Sequence, residues 1–80
     1  MLVVDFIEVT YHLFKSHTLN RVQFGEIEPE LLPRKGDFVV IGSSNFIVEQ
    51  VKFYPFGDRE GKKGVKIYIN RLKEESQCEK

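Results

Sequence analysis

Apolar and polar residues alternate with a period of two along much of this chain, which predicts strands rather than helices. The clearest case is Val65, Ile67 and Ile69, which alternate with more polar neighbours and indicate a strand with one buried face. The apolar run 38–41 has strand length, and the stretch 46–54 begins with the same alternation. These patterns predict a strand–turn–strand unit followed by a further strand.

The stretch from Leu2 to Phe14 is rich in β-branched and aromatic residues, which favours a long first strand. At a period of two, one face of that strand consists of Ile7, Val9, Tyr11 and Leu13. A helix is the alternative, because Phe6, Val9, Leu13 and Phe14 approximate a helical stripe. After it, 15–21 predicts a polar turn, and 22–27 predicts a strand that pairs back on the first.

The alternation slips within the fourth predicted strand. Phe46 and Val48 lie in one phase, whereas Val51 and Phe53 lie in the other. One extra residue restores the phase, so we predict a β-bulge at Glu49–Gln50. A strand buried on both faces is the alternative explanation.

The segments between the strands carry turn and loop signals. Residues 28–33 are bounded by prolines and predict a 3₁₀ turn whose leucines, Leu31 and Leu32, plug one end of the core. Residues 42–45 predict a four-residue hairpin turn. The loop 55–64 has three glycines, one proline and five charges, and we expect it to be mobile.

Five short strands in so few residues predict an all-β fold, a small five-stranded antiparallel barrel that is closed or nearly closed. It forms a single domain over residues 1–73, with one long hairpin loop. Residues 74–80 form a polar, disordered C-terminal tail.

The segment RKGDFVVIGSSNFIVEQV, residues 34–51, resembles the strand–turn–strand unit of small SH3-like barrels. The shared features are a Gly-Asp turn before an apolar strand, a short loop, and an aromatic-x-Val strand. Similar segments occur in many small proteins of bacteria and their phages, so the resemblance implies an SH3-like barrel from a bacterium or mobile element. It covers about a quarter of the chain and identifies no activity, because small barrels host many functions.

Composition favours a cytoplasmic protein without a membrane partner. The twelve basic and twelve acidic side chains cancel, so the whole molecule has no bias toward polyanions. The single cysteine, Cys78, cannot form an internal disulfide, which suits a reducing compartment. Asp5 and Glu8 interrupt the N-terminal apolar run, so we expect no signal peptide, and no stretch has transmembrane length.

The residues that could carry chemistry do not form a recognisable motif. His12 and His17 have no second ligand pair nearby, and one cysteine supports no zinc site. Ser43 and Ser44 are explained as turn formers, and Glu26, Glu28 and Glu30 as a solvated acidic edge. We therefore expect no enzyme activity, no catalytic residues, no cofactor and no metal.

The charge is unevenly spread, and this points to a binding surface. Residues 52–73 carry seven bases and two acids, interleaved with aromatic residues. We predict that the last hairpin binds a partner through Tyr54, Phe56, Arg59, Lys62, Lys63 and Tyr68. Phe53 and Tyr54 can equally belong to the core, and the lysines can simply keep the protein soluble.

Two classes of partner fit this hairpin. The first is a larger protein, docked through an exposed Phe56. The alternative is RNA or single-stranded DNA, because rings stack on bases while cations meet phosphates. Self-association into a homo-oligomer is a further possibility if the apolar first strand lies at an open edge of the sheet; the alternative is that it is internal.

Overall fold

Five strands account for most of the residues that the computed structural model describes, which are 1–12 and 16–72. They are β1 (Leu2–Tyr11), β2 (His17–Ile27), β3 (Phe38–Ile41), β4 (Ser44–Tyr54) and β5 (Gly64–Arg71). A 3₁₀ turn at Pro29–Leu31 lies between β2 and β3, as the sequence predicts. No helix in these two ranges is long and apolar enough to cross a membrane. The tail 74–80 and the predicted end of the first strand at residues 13–14 lie outside the described residues.

The strands form one sheet in the order β2-β1-β5-β4-β3, curled into a half-barrel. Antiparallel pairing joins β1 to β2, β3 to β4 and β4 to β5. The pairing of β1 with β5 is parallel, so the predicted antiparallel barrel is wrong at this position and the sheet is mixed. Alternation has the same period in parallel and antiparallel strands, and therefore carries no information about strand direction.

The core lies on the concave face of the sheet and centres on β5. Val65, Ile67 and Ile69 are all buried, which confirms the predicted buried face. Phe46 and Val48 on β4, which share one face as predicted, are buried against them. The central position of β5 between β1 and β4 explains why its pattern is the cleanest in the chain.

Both faces of β1 contain buried residues. On the face that the sequence groups as Ile7, Val9 and Tyr11, Val9 is buried, Ile7 is half-buried and Tyr11 is exposed. The face that packs into the core cluster is the other one, with Val4 and Phe6. The register with β5 decides this, because it places Val4 beside Val65 and Phe6 beside the buried centre of β5. A strand that is apolar on both faces does not show by itself which face is buried.

The predicted bulge in β4 is confirmed. Val48 pairs with Ile69 and Gln50 with Tyr68, which leaves Glu49 as the extra residue. The structure has a second irregularity that the sequence did not reveal: Phe6 pairs with Gln23 and Ile7 with Arg21, which makes residue 22 the extra one in β2. Bulges increase local twist, and both therefore favour the curl of the sheet.

The turns differ from the predictions in three places. β2 begins at His17, inside the predicted polar turn. The β3–β4 connection has two residues rather than four, because Ile41 pairs with Ser44 across Gly42 and Ser43. Of the two leucines expected to plug the core, Leu32 packs against it and Leu31 is exposed.

The first strand is internal, which is the alternative given for it, so the condition for self-association through this strand is not met. β1 lies between β2 and β5, and the two edges of the sheet are β2 and β3. The chain passes from one edge to the other through residues 28–37. Leu32, which packs against the core, lies within this crossing.

Gly64 allows β5 to begin close to β1. Its φ is +140°, and a Cβ at this position would lie 2.6 Å from the carbonyl oxygen of Val3. Because that neighbour is backbone, a side chain would push the two central strands apart at the start of their pairing.

We expect Ile67→Ala to lower the free energy of unfolding by about 2–5 kcal/mol, because it leaves a cavity at the centre of the core. Leu19→Ala is the matched control: Leu19 lies on edge strand β2 with 51% of its surface exposed. We expect the control to lose no more than about 0.5 kcal/mol. Urea unfolding followed by circular dichroism measures both, and equal losses would contradict a core centred on β5.

Candidate functional site

The six residues predicted to bind a partner lie on two parts of the last hairpin. Tyr54 ends β4 and Tyr68 lies within β5, both half-buried. The other four are exposed in the loop between these strands: Phe56, Arg59, Lys62 and Lys63. Phe53, which the sequence left open between core and surface, is 59% exposed.

Two lysines cover the tyrosine rings on the outer face of β4 and β5. The ammonium group of Lys52 lies 5.5 Å from the ring centre of Tyr68, and that of Lys66 lies 5.1 Å from the ring centre of Tyr54. Burial raises the pKa of the Tyr68 hydroxyl, with a further contribution from Tyr54. These contacts are cation–π pairs within the domain, so a lysine already covers one face of each ring.

Asp58 organises the loop. One of its carboxylate oxygens accepts the backbone N–H groups of Glu60, at 2.8 Å, and Lys62, at 3.0 Å. The other oxygen lies 3.0 Å from the ammonium group of Lys66 on β5. The N–H of Lys62 is the main cause that lowers the pKa of Asp58 to about 2, followed by Lys66.

Backbone contacts close the same turn. The N–H of Asp58 donates to the carbonyl of Lys62, and the N–H of Gly61 donates to the carbonyl of Asp58, both at 2.9 Å. Gly57 has a φ of +103°, and a Cβ there would lie 3.1 Å from the carbonyl carbon of Gly61. The sequence predicts a mobile loop, and the structure shows in it a hydrogen-bonded turn that is anchored to β5 by Asp58 and Lys66.

Phe56 stands outside this turn. The N–H of Gly57 donates to the carbonyl of Tyr54, so Pro55 and Phe56 occupy the corner where β4 ends. The ring of Phe56 is 92% exposed, the largest exposure among the apolar side chains of the described residues. An ordered loop that leaves an aromatic ring in solvent presents that ring to a partner at little entropic cost.

An apolar cleft lies beside the base of this loop. Its volume is about 340 Å³, and its lining includes Met1, Leu2, Phe53 and Pro55. Met1 and Phe53 are both largely exposed. Lys63 lies at the same cleft and supplies a cation next to the apolar surface.

Three of the six basic side chains that the structure describes in this hairpin form ion pairs within the domain. Lys62 pairs with Glu60 at 3.7 Å, Lys66 with Asp58, and Arg71 with Glu8 at 3.1 Å. Lys52, Arg59 and Lys63 have no ion pair with any other residue in the described ranges, and Lys52 lies over the ring of Tyr68. Half of the described cations of the basic segment are therefore outside ion pairs.

A second cluster on the outer face was not found by sequence reasoning. Arg21 binds Asp5 through two hydrogen bonds of 2.8 Å, and its guanidinium carbon lies 4.8 Å from the ring centre of Phe24. Asp5 is the one buried charged residue among those described. Sequence reasoning read Asp5 only as an interruption of an apolar run, and no local pattern connects it to Arg21 on the next strand.

This cluster lines a cleft of about 290 Å³ between the loop and strands β1 and β2. The charged side chains around it are Asp5, Arg21, Asp58, Glu60, Lys62, Lys63 and Lys66. All but Lys63 belong to ion pairs with one another. The cleft is thus nearly neutral and has little attraction for an anion.

The side chains considered for catalysis or metal binding are dispersed. His12 lies near Thr18, at 3.3 Å, and His17 stacks at an angle near Tyr11, with both histidines exposed. The hydroxyl of Ser44 accepts a hydrogen bond from Arg71. Within the described ranges, no group of three or more acidic, histidine or cysteine residues is placed to hold a metal ion.

The bulge residue Glu49 makes the most unusual polar contact. One of its oxygens accepts a hydrogen bond from the hydroxyl of Tyr11, which raises the pKa of Tyr11. The other oxygen is buried without a hydrogen-bond partner. This contact joins the end of β1 to the bulge in β4 across β5.

Comparisons with protein-family models, with curated proteins and with solved structures found no match to this chain.

We expect the loop to lose order in acid. The folded pKa of Asp58, about 2, lies below its ordinary value of 3.8, so its contribution is complete above about pH 4 and is lost as the pH falls toward 2. The amide protons of Glu60 and Lys62 should shift with a midpoint near pH 2 in NMR spectra.

The variant Asp58→Asn should remove that titration and speed hydrogen exchange at the same two amides at neutral pH. Glu60→Gln is the control, because its pairing with Lys62 is exposed and contributes little. If Asp58→Asn left these amides unchanged, the carboxylate would not be what orders the loop.

Proposed function

We propose that this domain is a non-enzymatic interaction module that docks on a larger protein through the loop 55–63. The observation that carries the proposal is Phe56, 92% exposed at the corner of a loop that Asp58 orders. The adjoining apolar cleft enlarges the contact surface beyond a single ring. Interface anchors are typically aromatic side chains that enter a pocket and are surrounded by weaker polar contacts.

The chemistry of the partner follows from the same surface. Phe56 requires an apolar pocket on the partner. The exposed Phe53 and Met1, which line the apolar cleft, require a flat apolar surface around that pocket. Arg59 and Lys63 favour acidic residues at the edge of that pocket. Tyr54 and Tyr68 serve in this proposal as the support of the hairpin, because lysines already cover their rings.

Binding of RNA or single-stranded DNA by the same hairpin has less support. Three of its cations pair with carboxylates of the domain, and phosphate binding would have to break those pairs. A lysine covers one face of each tyrosine ring, and a base stacking there would have to displace it. The SH3-like family, a cytoplasmic location and an origin in a bacterium or mobile element rest on the sequence alone.

The test compares Phe56→Ala with the double variant Lys62→Gln/Lys63→Gln in pull-downs from lysate of the cells that encode the protein. We expect Phe56→Ala to lose the partner, and the lysine variant to retain it, also at high salt. Phe56→Ala should change the free energy of unfolding by less than about 0.5 kcal/mol, because the ring is exposed.

An NMR titration with pools of short RNA and DNA single strands provides the counter-test. We expect no saturable shifts. Shifts confined to residues 52–70 that disappear at high salt and in the lysine variant would overturn the proposal in favour of the nucleic-acid alternative.

A further inference from the structure

Strand β3 lies at an edge of the sheet, and some of its backbone N–H and C=O groups point away from the sheet. Among the described residues it has one neighbouring strand, β4, and no strand on its other side. Val39 pairs with Phe46, and Ile41 closes the two-residue turn with Ser44. In an antiparallel ladder the hydrogen-bonded positions alternate, so the N–H and C=O groups of Phe38 and Val40 point away from β4.

The side chains of the same two residues form an apolar surface. Phe38 is 71% exposed and Val40 68% exposed, both on the convex side of the sheet. The half-buried Ile47 lies next to Phe38 on β4. Val39 and Ile41 face the other way and pack against the core.

The two edges of the sheet differ in how they are protected. Proteins block edge strands with charges, prolines or bulges. β2 has a bulge at residue 22 and carries Arg21 and Glu26, whereas β3, with the sequence FVVI, has none of these features. The edge formed by β3 is therefore the one that is free to accept a strand.

We infer that β3 pairs antiparallel with β3 of a second copy of this chain, about a two-fold axis at Val39. This register places Phe38 of each copy opposite Val40 of the other. Each of these pairs exchanges two backbone hydrogen bonds through the outward-pointing groups. The exposed phenyl and isopropyl groups of both copies then form one apolar cluster on the convex side.

The strand fits a second copy because it is complementary to itself. In this register each residue lies opposite one on the same face of the joined sheet, so Phe38 meets Val40 on the convex face and Val39 meets Val39 on the other. No like charges meet: Asp37 lies opposite Ile41, and its carboxylate is turned back to accept the N–H of Arg34 at 2.8 Å. A two-fold contact of this kind closes on itself and ends at the dimer.

The dimer should dissociate on dilution. A four-residue strand buries much less than the roughly 800 Å² per partner of a standard interface. Sedimentation of the full chain should therefore show a monomer at low concentration and a dimer at the concentrations used for NMR. A monomer throughout the accessible range would overturn the inference.

The variant Val40→Lys should keep the protein monomeric at every concentration, because it places a charge at the centre of the pairing edge. Leu19→Lys is the matched control, because it also replaces an exposed apolar side chain by lysine, but on the opposite edge strand, β2. We expect it to dimerise like the wild type. If Leu19→Lys abolished the dimer and Val40→Lys did not, the contact would lie at β2 and the inference would be wrong.

Cysteine substitution tests the register in a Cys78→Ser background. Val39→Cys places two sulfur-bearing residues opposite each other with Cα atoms about 4.5 Å apart, which a disulfide can span. Val40→Cys places them diagonally, at roughly 7–8 Å, which it spans poorly. Fast crosslinking of Val39→Cys alone supports the two-fold axis at Val39, whereas faster crosslinking of Val40→Cys overturns it. Phe56→Ala should leave the dimer unchanged, which separates this contact from the proposed docking loop.

Discussion

The parallel pairing of β1 with β5 is the interaction on which the rest of the domain depends. It joins the β1–β2 hairpin to the three-stranded unit β3–β4–β5. Apart, each piece would expose an apolar face, and a two-stranded hairpin is marginal by itself in water. Together they bury Val4 and Phe6 against Val65 and Ile67, at the centre of the concave core.

The same pairing positions the proposed docking loop. Once β5 lies beside β1, the loop before it lies over the outer face, where Asp58 reaches Lys66. One carboxylate then satisfies two backbone N–H groups and one ammonium group, and the turn needs no apolar side chain to hold it. Phe56 can therefore remain in solvent. An aromatic side chain that the core does not need for packing is accessible to a binding partner.

Charge in this molecule is balanced locally as well as in total. Asp5 binds Arg21, Glu8 binds Arg71, and Asp58 binds Lys66. Each pair joins residues from different strands or from a strand and a loop, so the pairs lock the register of the sheet at several points. Because three cations of the basic hairpin are held in such pairs, the proposed contacts of this domain rely mainly on apolar surface at the loop and at the β3 edge.

The sequence by itself determined the all-β class, the approximate positions of five strands, the buried face of β5 and the bulge at Glu49. Each of these features depends on residues that are close together in the sequence, and the alternation of apolar and polar residues therefore reveals it. It also singled out Phe56, because a phenylalanine between proline and glycine in a loop has no strand face to join.

Only the tertiary structure decided the direction of β5 relative to β1, the buried face of β1 and the order of the loop. These depend on contacts between residues far apart in the chain, such as Val4 with Val65, and side-chain alternation is the same for either strand direction. The structure also decided that β3, rather than the longer β1, is an exposed edge. The physical reason is that burial depends on the assembled sheet. Neighbouring strands decide whether a strand is central or at an edge, and the strand's own residues do not specify those neighbours.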